Sequence, residues 1–151
     1  MNKERLMLVV KKLEELPPER FNFNVWVGTN WEGDPDLSCG TTACALGWAT
    51  TIPELREAGL RLTKAICCTI VCIVFGDQMG VHSPNDASIS AAKAVFELTN
   101  REASFLFVPN VLPSDFDKED RPGSEATAKE VAAHIKAFVE RGGLPEGYEN
   151  W

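Results

Sequence analysis

Eleven consecutive residues, Cys39-Gly40-Thr41-Thr42-Ala43-Cys44-Ala45-Leu46-Gly47-Trp48-Ala49, bring two thiols, two hydroxyls and an indole together among side chains too small to hold a neighbour away. The apolar run that begins at Thr42 predicts a helix over 42–50. Gly40, Thr41 and Thr42 then fall at its N-terminus, where unpaired amide N–H groups and the positive end of the helix dipole attract an anion such as a phosphate or carboxylate. The same field favours a thiolate, which makes Cys39 a candidate nucleophile. Its base would be His82, in the loop Gly80–Pro84, because the other histidine, His134, lies in the predicted final helix. Trp26 and Trp48 offer flat apolar faces on which a base or ring can stack. The candidate ligand site is therefore Trp26, Cys39, Gly40, Thr41, Thr42 and Trp48, with Cys39 and His82 as an alternative catalytic pair. A packing reading of the same residues stands beside it. Gly40 and Gly47 admit a close neighbour, and Cys44 and Trp48, four apart, share one helical face as core side chains.

Other groupings carry less chemistry. Cys39-x4-Cys44 lacks the tight paired C-x2-C spacing of a zinc knuckle, and Cys67-Cys68-x3-Cys72 sits in an apolar run where thiols act as small hydrophobes. Asp115, Asp117 and Glu119 imitate the first ligands of a calcium loop. However, Asp120 stands where that loop needs glycine, and Ala126 where it needs a bidentate glutamate. Neither a metal nor a cofactor is expected. The chain has no G-x-x-x-x-G-K-[ST], G-x-G-x-x-G or H-E-x-x-H segment.

These residues sit in a chain of 151 residues, 44% hydrophobic and 25% charged, which is the size and composition of one folded domain spanning 1–151. The net charge of −7 disfavours nucleic acid and anionic lipid as partners. The acidity is concentrated: residues 21–60 hold five acidic groups against one basic, and 101–151 hold ten against six. Asp115, Asp117, Glu119 and Asp120 form the densest run and are the candidate surface for a protein partner with a basic groove. The N-terminus threads charges through its apolar residues, unlike a secretory signal, and the longest apolar run, Ala65–Phe75, is too short to cross a membrane. Five cysteines without a disulfide framework fit a reducing compartment, so a cytoplasmic protein is expected.

Helical spacing of Leu6, Val9, Val10, Leu13 and Leu16 predicts a first helix over 3–16, stopped by Pro17-Pro18. Phe21 to Val27 reads as extended and 28–41 as a glycine-rich loop. A helical turn is predicted over 53–59, and the β-branched run 60–75 tips toward strand. Ser88 reads as the cap of a helix with Ile89, Ala92, Val95 and Phe96 on one face. Thr99 with Glu102, and Thr127 with Glu130, have capping-box spacing, and Gly142-Gly143 ends the last helix. Residues 109–124 read as a long surface loop. The expected fold is α+β and mainly helical, one compact domain with a small extended element near 60–75. The first and last helices should pack around the Cys-Gly-Thr helix.

The segment Cys39–Ala49 resembles a group of small proteins encoded by phages and prophages that share the pattern C-G-T-x-x-C-A-x-G-W-A. An aromatic-Asn segment with a tryptophan precedes that pattern and a Pro-Glu turn follows it, as Phe21-Asn22, Trp26 and Pro53-Glu54 do here. The Cys67–Cys72 run departs from it. The resemblance implies a viral accessory protein of the counter-defence kind, which covers a host defence protein or sequesters a small anionic, nucleotide-type signal. The expected function is accordingly that of a non-enzymatic binding protein or inhibitor. The alternative is a Cys-dependent hydrolase or transferase using Cys39 with His82.

Overall fold

A computed structural model describes residues 1–28, 36–37, 40–64, 71–76, 84–108, 122–146 and 148. The first helix, α1 (Lys3–Glu14), turns Leu6, Val9, Val10 and Leu13 inward, and the Asn2 side chain accepts a hydrogen bond from the Arg5 amide at its start. A 3-10 turn over Pro18–Arg20 follows, with proline opening it, where no N–H is needed. Two short helices, α2 (Ala45–Ala49) and α3 (Pro53–Glu57), lead into the strands β1 (Leu60–Lys64) and β2 (Val71–Phe75). The strands pair antiparallel, with Leu60 opposite Phe75 and Lys64 opposite Val71. Three helices complete the chain: α4 (Pro84–Phe96), α5 (Asn100–Phe107) and α6 (Ala128–Arg141). This is a mainly helical α+β fold with its extended element inside 60–75, as the β-branched composition there predicts.

The core is one continuous cluster drawn from all six α-helices and both strands, with Phe96, Phe107 and Phe138 among its largest fully buried side chains. α1 packs along α6 and also against α2, while β2 lies on α4 and α5 joins α4 to α6. Thus α1, rather than the Cys-Gly-Thr helix, is the element around which the outer helices gather. Its start is fastened to the end of α4: the Asn2 amide donates to the Phe96 carbonyl at 2.7 Å, and the Arg5 guanidinium donates to the Val95 carbonyl at 2.8 Å.

Both capping boxes form. Thr99 and Glu102 exchange side-chain and backbone bonds at the start of α5, and Thr127 and Glu130 do the same for α6. Gly142 closes α6 in the left-handed conformation at φ 88°, where a side chain would be strained. Ser88, read as a cap, lies inside α4 and is buried, because Pro84 begins that helix one turn earlier. Among the described residues no helix is long and apolar enough to cross a membrane.

Candidate functional site

The Cys-Gly-Thr segment does not open a helix at Thr42. Ala43 bridges both Phe21 and Val27, so residues 41–43 run extended between two stretches of the 21–28 segment. The Ala43 amide donates to the Arg20 carbonyl and the Cys44 amide to the Val25 carbonyl. The Asn22 and Gly28 amides donate to the carbonyls of Ala43 and Thr42. Cys44 becomes the residue before the helix, and α2 is only Ala45–Ala49. The backbone donors that would face an anion are therefore engaged by the neighbouring chain at Ala43 and Cys44, and the Gly40-Thr41-Thr42 turn precedes the helix.

Burial removes most of the remaining chemistry from solvent. Thr41 is fully buried, and its carbonyl accepts from Arg20 Nε at 3.2 Å. Cys44 is 1% exposed, and burial pushes its thiol up to about 11, well above the range in which a thiol ionises at neutral pH. Its Sγ lies 3.7 Å from the Trp26 carbonyl oxygen. Gly40 is exposed, with φ 82° and open space around it. Cys39 and His82, the alternative catalytic pair, lie outside the described residues, as do Asp115, Asp117, Glu119 and Asp120.

The two tryptophans find different partners. Trp26 is half-buried, and its indole N–H donates to Asn85 Oδ1 at 2.6 Å at the start of α4. Trp48 is 4% exposed, and its indole N–H donates to the Arg20 carbonyl at 3.0 Å. The Trp48 ring is covered by cations: the Arg20 guanidinium carbon stands 5.0 Å from its centroid and Lys12 Nζ 5.5 Å. A face already covered in this way has no room to stack a nucleobase.

What the ring does help form is a small open cleft of about 280 Å³, walled by Lys12, Glu15, Leu16, Arg20, Asp36 and Trp48. Arg20 is its organising residue. Besides lying over Trp48 it donates from Nε to the Thr41 carbonyl and from an Nη to the Leu37 carbonyl. Leu37 is buried with φ 53°, a conformation that a branched side chain adopts only when its surroundings impose it. Asp36 is paired with Arg56 of α3 at 2.7 Å. The cleft thus presents two cations, one carboxylate already neutralised by a partner, and Glu15. It is small for a nucleotide.

Sequence reasoning did not single out Lys12 or Arg20. Nothing local marks Arg20, which ends the 3-10 turn and meets partners 17 and 21 residues away. Lys12 reads as one more charge on the exposed side of α1. No known family model, curated protein or solved structure matches the chain.

Proposed function

We propose that this protein acts by binding and not by turnover, as an accessory inhibitor working in the cytoplasm of a phage-infected host. It would either take up a small anionic, nucleotide-type signal or cover a host defence protein. The non-enzymatic part is supported by the packing of Thr41, Cys44 and Gly47, three residues of the central motif. Cys44 is buried with a thiol held protonated up to about pH 11, Thr41 is buried, and Gly47 lies against the backbone of the 21–28 segment. The phage setting and the counter-defence role rest on the resemblance of Cys39–Ala49 to phage- and prophage-encoded proteins. The net charge of −7 supports a protein partner that itself binds nucleic acid, with Asp115, Asp117, Glu119 and Asp120 as phosphate mimics.

The test is the native mass of the protein after incubation with a small-molecule extract of phage-infected bacteria, compared with its denatured mass. An excess found only in the native spectrum supports sequestration. An unadorned native mass together with salt-sensitive capture of a host protein, weakened by charge reversal at Asp115, Asp117, Glu119 and Asp120, supports the covering mode. An excess that survives denaturation and disappears in Cys39→Ser overturns the binding reading in favour of the Cys39–His82 enzyme.

A further inference from the structure

A second open cleft, about 650 Å³, lies where the start of α5 meets the end of α6. Arg101 belongs to one wall and Arg141 to the other, and Gly142, Gly143 and Leu144 continue the second wall beyond α6. We propose that this cleft is a binding site for a small organic phosphate, held between the Arg101 and Arg141 guanidinium groups. The inference gives a place to the small-ligand form of the proposed function and rests on that reading for its biological sense.

The chemistry comes from the two side chains. A guanidinium presents five N–H donors in a flat fork, so it can keep a contact within the chain and still bind a ligand oxygen, and it stays charged at every physiological pH. A ligand shared by one arginine of α5 and one of α6 needs oxygens pointing both ways. A tetrahedral phosphate, and still more a diphosphate, has them, whereas a carboxylate has two oxygens in one plane. The volume lies in the range of pockets that hold nucleotide-sized ligands, unlike the smaller cleft over Trp48. Glycines at 142 and 143 leave that wall without side chains, and half-buried Leu144 adds an apolar surface. On a chain with a net charge of −7 an anion has no general attraction to follow, so any affinity must be local to such a pair.

One group opposes the anion. Glu102 also lines the cleft, and its Oε2 accepts the Thr99 amide at 2.8 Å as part of the α5 capping box. The Thr99 and Glu102 amides are accordingly already served by the capping box, since Glu102 N donates to Thr99 Oγ1. The site rests on the arginines alone.

Inorganic pyrophosphate, titrated calorimetrically into the full chain, is the probe. Saturable one-to-one binding is expected, weakened roughly tenfold or more by Arg141→Gln and by Arg101→Gln. Lys93→Gln, a charge-matched change on α4, should leave it unaltered. Arg141→Lys, which keeps the charge and loses the fork, should fall between, and it replaces Arg141→Gln if that variant does not fold. Glu102→Gln, which retains an acceptor for the Thr99 amide, should bind severalfold more tightly because a like charge has gone. Absence of saturable binding, or equal weakening by Arg101→Gln, Arg141→Gln and Lys93→Gln, overturns the site. The proposed function would survive that failure if the native mass still showed a ligand, so the two fail separately.

Discussion

Gly47 and Trp26 meet through their backbones: the Trp26 carbonyl oxygen occupies the space a Cβ at residue 47 would need, and the Ala43 Cβ stands 2.7 Å from that same point. This contact presses α2 onto the 21–28 segment and accounts for a glycine inside a helix of only five residues.

Gly47→Ala is therefore expected to destabilise the protein even though alanine is the better helix former. The intrinsic gain of about 1 kcal/mol is outweighed, since the obstacle is main chain and cannot rotate away. A net loss of about 1–3 kcal/mol, several degrees in the unfolding temperature, should be seen by calorimetry or circular dichroism. An unfolding temperature at or above that of the parent would mean that the 21–28 segment is free to shift.

Cys44 links burial to pH. Its thiol is pushed from 9.0 to about 11 by desolvation, so between those values the unfolded chain releases this proton while the folded chain keeps it. Stability from this residue is therefore intact below pH 9 and declines as the pH rises toward 11, by at most about 3 kcal/mol. Cys44→Ala lacks that dependence. The stability difference between the parent and Cys44→Ala should narrow from pH 8 to pH 10.5 in denaturant titrations. At neutral pH the native thiol should resist alkylation until the chain unfolds.

Arg20 holds two carbonyls and an indole at once, which a lysine cannot reproduce. Arg20→Lys is expected to lower stability by roughly 1–2 kcal/mol, because Leu37 and Thr41 lose a charged donor and the left-handed Leu37 loses its restraint. Lys12→Ala, which removes only the outer cation over Trp48, should cost less than Arg20→Lys. An Arg20→Lys variant as stable as the parent would show that Arg20 acts through charge alone.

At the start of α6, Thr127 donates its amide to Glu130 Oε2 at 2.7 Å and its hydroxyl to the same oxygen at 2.8 Å. The backbone and then the side chain of Thr127 thereby hold the Glu130 carboxyl below its ordinary value of 4.5. The contribution of this pair is present above that value and is lost as the pH falls through the lowered one. Thr127→Ala should cost about 1 kcal/mol at pH 7 and raise the Glu130 titration, followed by NMR, only part of the way toward the ordinary carboxylate range, because the residue 127 amide still donates to the carboxylate.

Much of the framework was legible locally. The Thr99/Glu102 and Thr127/Glu130 boxes, the Pro17-Pro18 stop and the Gly142 cap depend on residues within one helical turn of each other, so their spacing states their geometry. The β-branched residues of 60–75 tipped toward an extended element, but without a clean period they did not separate strand from buried helix; the structure places β1 and β2 there. Where the reading slipped, at 42–44, the reason is competition. Thr42 to Cys44 can enter a helix by propensity, but the backbone of 20–28 supplies them with partners, so the helix begins at Ala45.

By itself, then, the sequence determined the first, fifth and sixth helices, the caps of the last two, the extended element, the mainly helical class and the acidic balance, because each follows from neighbours along the chain or from composition. Tertiary structure alone decided that Thr41 and Cys44 are interior, that Arg20 reaches Leu37, Thr41 and Trp48, and that Arg101 and Arg141 line one cleft. Those relationships join residues tens of positions apart, and whether a thiol or a guanidinium faces water or protein depends on what the rest of the fold packs against it.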